Sequence, residues 1–363
     1  MSKARELAEL GAAYDSGALS NRNIIINGAM QVAQRGTSST GVGSGFAYPT
    51  LDRYKIVPST SGRATMTQTA DGPAGFANCL KLECTTADTS IAAGEYFNLR
   101  QSFEGQDVQR LKKGTSSAEK ITVSFYVKGN AAATYQCELS DQDNTRYNGQ
   151  TFAVTTDWTR VILTFDGDTT GALDDDNARS LDLNIWLHAG STYTGGTFTS
   201  NTWQTTDNQR VGSITSFFDS TSRTFFITGV QMEVGTEATP FEHRSYADEL
   251  HRCQRYFEVI VSGDSREIGG GNYYSSSAIH CPTIFETSKR TNSYSVTVTG
   301  GTNYFRVYRN GTSDDFDGFT GSTRANINRC LLYASSGVSG TAGHGLELLT
   351  NNASAKVVVD DEL

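Results

Sequence analysis

Proline, histidine and clustered positive charge are all in short supply in this sequence. Five prolines stand against 36 glycines in 363 residues, where ordinary usage is roughly 5% and 7%. Tight reversals therefore fall to glycine, the profile of short strands joined by many turns. The formal net charge of -9 argues against a nucleic-acid partner, because a phosphate-binding surface needs clustered Lys and Arg to release counterions. The longest basic stretch, Arg110 to Lys113, is interrupted by Leu111 and reads as a solvated turn. No apolar run approaches the ~18 residues of a membrane helix, so membrane insertion is not expected. Residues Met1 to Leu10 lack the apolar core of a secretion signal, which implies synthesis in a cytoplasm.

Catalytic and metal motifs are missing too. The five histidines, His188, His243, His251, His280 and His344, occupy separate contexts, and H-E-x-x-H and G-x-S-x-G do not occur. His280 and Cys281 are adjacent in a strand-like run, where neighbours point to opposite faces, so they make a poor proton-exchanging couple. The six cysteines, Cys79, Cys84, Cys137, Cys253, Cys281 and Cys330, include no C-x-x-C pair; zinc-ligand spacing is absent and buried free thiols are expected. In "DGDTTGALDDDNARS" (Asp166 to Ser180) the start echoes a calcium loop, but the twelfth position is Asn177, which lacks the bidentate carboxylate such loops use. A solvated turn is the expectation there. Glycines 41 to 45, "GVGSG", precede no helix and no Lys-Ser/Thr pair, so they read as a flexible loop. No cofactor, metal or enzymatic activity is expected, although two suitably spaced acids would suffice for glycoside hydrolysis.

What the sequence does contain is alternation. "KITVSFYVKG" (Lys120 to Gly129) places Ile121, Val123, Phe125 and Val127 on one face and Thr122, Ser124, Tyr126 and Lys128 on the other. "WTRVILTFDG", "LDLNIWLHAG" and "RTFFITGVQMEV" behave alike. The expected fold is mainly β: a jelly-roll-like β-sandwich, a short linking helix and a second, smaller C-terminal β-sandwich, preceded by a short N-terminal helical segment. After Pro240, "SYADELHRCQRYFEVI" puts Tyr246, Leu250, Cys253 and Phe257 on one stripe, with Asp248, Glu249, Arg252 and Arg255 on the rest. This predicts a surface helix that joins two β units or two protomers, with Ser245 and Asp248 as a capping box. Asn310-Gly311 marks a two-residue hairpin in the C-terminal part. The expected divisions are 1–20, a docking segment; 21–241, the jelly-roll body; 242–263, the linking helix; and 264–363, the tip.

Four large rings sit in polar, Gly-rich segments: Tyr193 in "GSTYTGGTF", Trp203 in "SNTWQTTDNQ", and Tyr273 with Tyr274 in "GGGNYYSSS". An aromatic platform among Asn, Gln, Asp and Thr is what sugar binding requires. For each ring, folding back over a sheet edge is an equally good account.

The stretches "NRNIIINGAMQVAQRGTS", "YPTLDRYKI" and "GVQMEVGTEATPFEHRSYADELHRCQRYF", with "GTNYFRVYRNGTSDDF" and "SGVSGTAGHGLELLTNNASA" further on, resemble tail-fibre and related virion appendage proteins of tailed, notably marine, bacteriophages. The resemblance touches nearly the whole chain and departs from the family where Tyr54 replaces a Trp. It implies that the opening motif begins the first jelly roll as a strand. It further implies a homotrimer displayed on the virion, docked to tail or capsid proteins through the N-terminal segment, and contact with a host-surface glycan. It supplies no binding residues. The short N-terminal segment suggests a stubby appendage or adaptor. The alternatives are a non-adhesive decoration or connector protein and a polysaccharide depolymerase.

Overall fold

The computed structural model describes Lys3, residues 21–319 and residues 321–363; the expected docking segment lies, Lys3 apart, outside these residues. The chain forms two compact units, one running to Glu249 and including Leu363, the other Leu250–Glu362.

The N-terminal unit is built from β1 (Ser38–Val42), β2 (Lys55–Ser59), β3 (Arg63–Thr69), β4 (Cys79–Thr86), β5 (Tyr96–Glu104), β6 (Ile121–Gly129), β7 (Ala133–Asp141), β8 (Arg146–Val154), β9 (Thr159–Phe165), β10 (Arg179–Ala189) and β11 (Thr224–Val234). One sheet has the order β1-β3-β4-β11-β6-β9 and the other β2-β5-β10-β7-β8, with every pairing antiparallel. From β4 to β11 the chain crosses between sheets at each step except the β7–β8 hairpin, so sequence-distant strands become neighbours. That interleaving is the jelly roll. Its core is the expected alternation made solid: Ile121, Val123, Phe125 and Val127 of β6 face Leu181, Leu183, Ile185 and Leu187 of β10 across one buried cluster. Pro58, which cannot donate to a ladder, lies on the edge strand β2.

The opening motif takes a different form from the expected strand. Residues 22–25 carry no strand assignment, and the segment is pinned by side chains instead. Asn27, at φ 61°, donates to Val32 O (2.8 Å) and Asp52 O (3.1 Å), while its Oδ1 accepts from the N–H groups of Gln31 and Val32, both at 2.9 Å. Asn23 Oδ1 accepts from Ile25 N (3.0 Å) and Met232 N (3.1 Å). Gly28 passes so close to β11 that a Cβ would lie 2.2 Å from Val230 O, which excludes any side chain there. Tyr54 is buried in the core.

Pro240 ends the body, and the helix Tyr246–Gln254 follows. It begins as expected, with Ser245 Oγ accepting from Asp248 N (3.2 Å) and donating to Asp248 Oδ2 (2.6 Å). It is shorter than the expected linker: Phe257–Ser262 is strand β12, so Phe257 is not a helical residue. The expected stripe is also corrected. Tyr246 is exposed, Leu250 half-buried, and Cys253 and Phe257 buried. Glu249, placed by the pattern on the charged face, is buried; its carboxylate accepts from Asn27 N (2.6 Å) and meets Arg244 (3.4 Å). Arg244 in turn donates to Ile25 O (2.9 Å). The helix start is thus held to the opening motif by polar contacts, because the irregular segment leaves backbone groups that need partners.

The C-terminal unit comprises β12, β13 (Glu267–Ser275), β14 (Ala278–Ile284), β15 (Ser295–Thr299), β16 (Phe305–Arg309), β17 (Thr312–Phe316), β18 (Gly321–Asn326), β19 (Arg329–Ala334), β20 (Gly345–Thr350) and β21 (Lys356–Asp360). Sheets of order β12-β21-β15 and β17-β16-β20-β13-β14-β19-β18 share one core that includes Val357, Val359, Tyr273, Phe305 and Leu348. Asn310 and Gly311 turn the β16–β17 hairpin with φ of 45° and 75°, the positive pair that a type I′ turn demands. All six cysteines are buried and none forms a disulfide. Burial pushes the Cys79, Cys84 and Cys281 thiols up to about 11, well away from thiolate reactivity.

Candidate functional site

The outward face of the five-stranded sheet is not the solvated surface that alternation suggests. On β10, Asp182, Asn184 and Trp186 face away from the core, yet all are buried. The chain between β10 and β11 folds back over them, bonding Gln204 to Tyr147 in both directions (2.8 and 2.9 Å), Asn201 N to Gly149 O (3.0 Å) and Thr215 N to Thr134 O (2.8 Å). Between this flap and the sheet opens a cleft of about 360 Å³.

Its floor is aromatic at one end and ionic at the other. Trp186 lies 5.2 Å from Tyr193 and 6.3 Å from Tyr96, and those two tyrosines meet edge-on at 5.5 Å. The Arg210 guanidinium covers the Tyr147 ring at 3.7 Å and lies 5.0 Å from Trp186. It also grips Glu138 with two bonds, 2.6 and 2.8 Å. Burial opposes charge on Arg210, but the contacts with Glu138 outweigh it and hold the guanidinium protonated. Beside this pair, Asp182 accepts from Ser102 Oγ (2.7 Å) and Arg179 Nε (2.8 Å) and meets Arg100 (3.4 Å). Both carboxylates are therefore engaged by arginine and are in place to orient the floor.

Two cleft-lining side chains are left unsatisfied. Trp186 Nε1 and Asn98 Oδ1 are buried atoms with no hydrogen-bond partner among the described residues. An unmade bond of this kind costs about 1–3 kcal/mol, which a polar partner brought to the cleft would recover. At the lip stands Phe46, 64% exposed, a large ring that no core contact explains.

Of the four rings singled out from the sequence, Tyr193 lines this cleft. Trp203 lies elsewhere on the same unit: it packs half-buried on the core, donates through Nε1 to Asp166 O (2.7 Å) and carries Lys113 over its ring at 5.1 Å. Tyr273 is corrected outright, being fully buried in the core of the C-terminal unit with its hydroxyl bonded to Arg309 Nε (2.9 Å). Strand alternation sends Tyr274 the other way; it is exposed and stacks on His280 at 4.5 Å. Sequence reasoning missed Phe46 and Trp186, although both left signals. Phe46 follows the same kind of Gly-rich stretch that marked the others, and Trp186 is the one ring on the polar parity of β10.

The acid-rich stretch offers the protein's own cations in place of calcium. Asp166 pairs with Lys120 (2.6 Å), and Asp168 with Arg146 (2.6 and 3.1 Å) and Lys113 (3.1 Å). Burial would raise the Asp168 carboxyl, but the hydrogen bonds from Arg146, Thr170 N–H and Lys113 outweigh it and hold it below the ordinary 3.8. Because the folded pKa is depressed, this contribution is complete above the unfolded value and is lost as pH falls through the folded one. Asp168→Asn is therefore expected to flatten the loss of stability below about pH 4; chemical unfolding at stepped pH measures it.

No family model matches the sequence, and no curated protein does. Among solved structures, a family 4 carbohydrate-binding module is similar with TM-score 0.30 and 12% identity, covering 57% of this chain and 97% of that one. A family 61 module in complex with β-1,4-galactotriose gives 0.29 and 11%, covering 59% and 99%. The enzymatically active domain of bacteriophage CBA120 tailspike protein 4 gives 0.32 and 12%, covering 58% of this chain and 21% of that one. At these TM-scores nothing in the functional reading rests on the likeness.

Proposed function

We propose that the chain is a glycan-binding virion protein of a tailed bacteriophage, a tail fibre or short appendage whose jelly roll grips a host-surface oligosaccharide in the cleft over Trp186. One combination carries the reading: an exposed ring, Phe46, beside buried polar atoms without partners, Trp186 Nε1 and Asn98 Oδ1. A flat apolar ring matches the C–H face of a sugar, and a hydroxyl both accepts from an indole N–H and donates to an amide oxygen. The virion placement, the homotrimer and docking through residues 1–20 rest on the family resemblance of the sequence motifs. Binding without cleavage is favoured because no carboxylate lines the cleft among the described residues, and the acids beneath its floor, Glu138 and Asp182, are engaged by Arg210, Arg179 and Arg100; glycoside hydrolysis needs two carboxyl groups at the scissile bond.

A glycan array probed with the intact chain, followed by calorimetry on the best sugar, tests this. Phe46→Ala is expected to weaken binding about tenfold, the equivalent of roughly 1.4 kcal/mol, without shifting the melting temperature, since the ring is exposed. A chain that recognises no sugar would instead be a decoration or connector protein. Release of shortened oligosaccharides from host polysaccharide would make it a depolymerase.

A further inference from the structure

At the end of β10 the ladder slips. Trp186 pairs with Asn98 and His188 with Phe97, leaving Leu187 as an extra residue in the strand. Such a bulge re-aims the side chain that follows it. His188 accordingly turns to the side of Phe97, and its ring packs edge-on against Phe218 at 5.6 Å. The imidazole is fully buried. Its Nδ1 is 2.8 Å from Ser216 Oγ, and that hydroxyl accepts from Phe218 N at 3.1 Å. Its Nε2 makes no hydrogen bond among the described residues; Glu95 Oε2 is 3.8 Å away, beyond hydrogen-bond reach.

Two carboxylates lie beside the ring. A ligand atom of each of Asp88, Glu95 and His188 lies within 4.8 Å of the others. Asp88 is 5% exposed, and both bonds it accepts, from Thr60 Oγ1 (2.7 Å) and Ser61 N (3.0 Å), fall on Oδ2. Glu95 accepts from Ala92 N at 2.7 Å. When Ser216 accepts from Nδ1–H, the Nε2 lone pair is free to take a metal ion beside the two carboxylates.

We propose that Asp88, Glu95 and His188 form a binding site for a divalent transition-metal ion, with Zn²⁺ as its occupant. A cation at their centre would take one ligand atom from each. Zinc bonds of about 2.0–2.2 Å at tetrahedral angles separate ligand atoms by roughly 3.4 Å, and the His188–Glu95 distance is already near that. Ser216 on the far ring nitrogen occupies the place of the outer partner that fixes the tautomer of a metal-bound histidine. Calcium is the poorer candidate, because it takes six to eight oxygens and gains nothing from imidazole. Glu95, with its side chain 18% exposed, is the open side for a fourth ligand. The ion would tie the β4–β5 connection to the end of β10, next to Tyr96 of the cleft.

The test is a Zn²⁺ titration of the chelator-treated full chain by calorimetry, with Co²⁺ as a spectroscopic substitute. One Zn²⁺ per chain is expected, with a rise in melting temperature, the visible d–d bands of four-coordinate Co²⁺, and little response to Ca²⁺. Ser216→Ala, which keeps all three ligands, should weaken binding about 10–100-fold, and His188→Gln should abolish it. Absence of a stoichiometric ion overturns the proposal, as does equal affinity in His188→Gln or displacement of Zn²⁺ by equimolar Ca²⁺. Should His188→Gln fail to fold, the Co²⁺ spectrum and Ser216→Ala still decide it: octahedral Co²⁺ or unchanged affinity rejects the site.

Discussion

Arg210→Met is expected to abolish oligosaccharide binding and to destabilise the N-terminal unit by about 3–5 kcal/mol. The side chain has two roles that methionine cannot fill. Its guanidinium lies flat over Tyr147 and completes the aromatic floor beside Trp186, and its two bonds neutralise Glu138, whose side chain is 0% exposed. Removing the cation leaves a carboxylate buried beside Asn184, with one neutral amide bond of 3.0 Å in place of an ion pair. Most of the lost stability therefore reflects the abandoned anion, not the intrinsic worth of the pair. The double variant Arg210→Met/Glu138→Gln removes that anion while keeping an acceptor for Asn184, so it should regain most of the stability and none of the binding. Urea unfolding and sugar calorimetry on both variants separate the two effects. If the double variant binds as the parent does, the cleft over Trp186 is not the binding site.

Lys289→Met is expected to cost the C-terminal unit a similar amount, about 3–5 kcal/mol. Its ammonium is fully buried and contacts Glu258, itself 3% exposed, and it also donates to Thr287 O at 3.1 Å. Burial pulls the Lys289 ammonium down, with Glu258 opposing, the signature of a charge that only its partner makes tolerable. Glu258 is held on its other side by Glu286 N at 3.0 Å, so the anion cannot swing out to water. The three tryptophans, Trp158, Trp186 and Trp203, all belong to the N-terminal unit. The expected result is thus a tryptophan-fluorescence transition displaced less than that reported by amide exchange in β13 and β21. Lys289→Met/Glu258→Gln should recover much of the loss. A shift of under about 1 kcal/mol in the single variant would mean that the pair is far better solvated than its burial indicates.

Much of this architecture was legible because one physical rule, the two-residue period of a strand, acts locally. It marks β6, β10 and β11 and their core-facing residues, and the Asn310-Gly311 pair announces its own hairpin. Ser245 and Asp248 likewise announce the helix start. The same rule failed where a strand is covered on both sides. Asp182, Asn184 and Glu138 have the composition of a solvent face, and nothing within ten residues of them says that a flap some twenty residues beyond the first two, and about seventy beyond Glu138, will bury them. Tyr273 and Tyr274 show the complementary failure: composition marked both as platforms, but adjacent strand positions must diverge, so Tyr273 went to the core. Glu249 was misread because a charged residue counts as polar in any helical pattern, whereas here it is the acceptor that the irregular Asn23–Gly28 segment requires.

Local chemistry, then, is enough to establish two β lobes, their turns, their buried thiols and an absence of compact catalytic motifs. Bringing Phe46, Asn98, Trp186, Tyr193 and Arg210 to one cleft, and Asp88, Glu95 and His188 to one point, took the crossing of strands between sheets. Residues separated by up to about 160 positions meet because burying both apolar faces at once leaves a jelly roll few ways to pass the chain. A single-residue bulge, which no alternation pattern announces, turned His188 toward its acids.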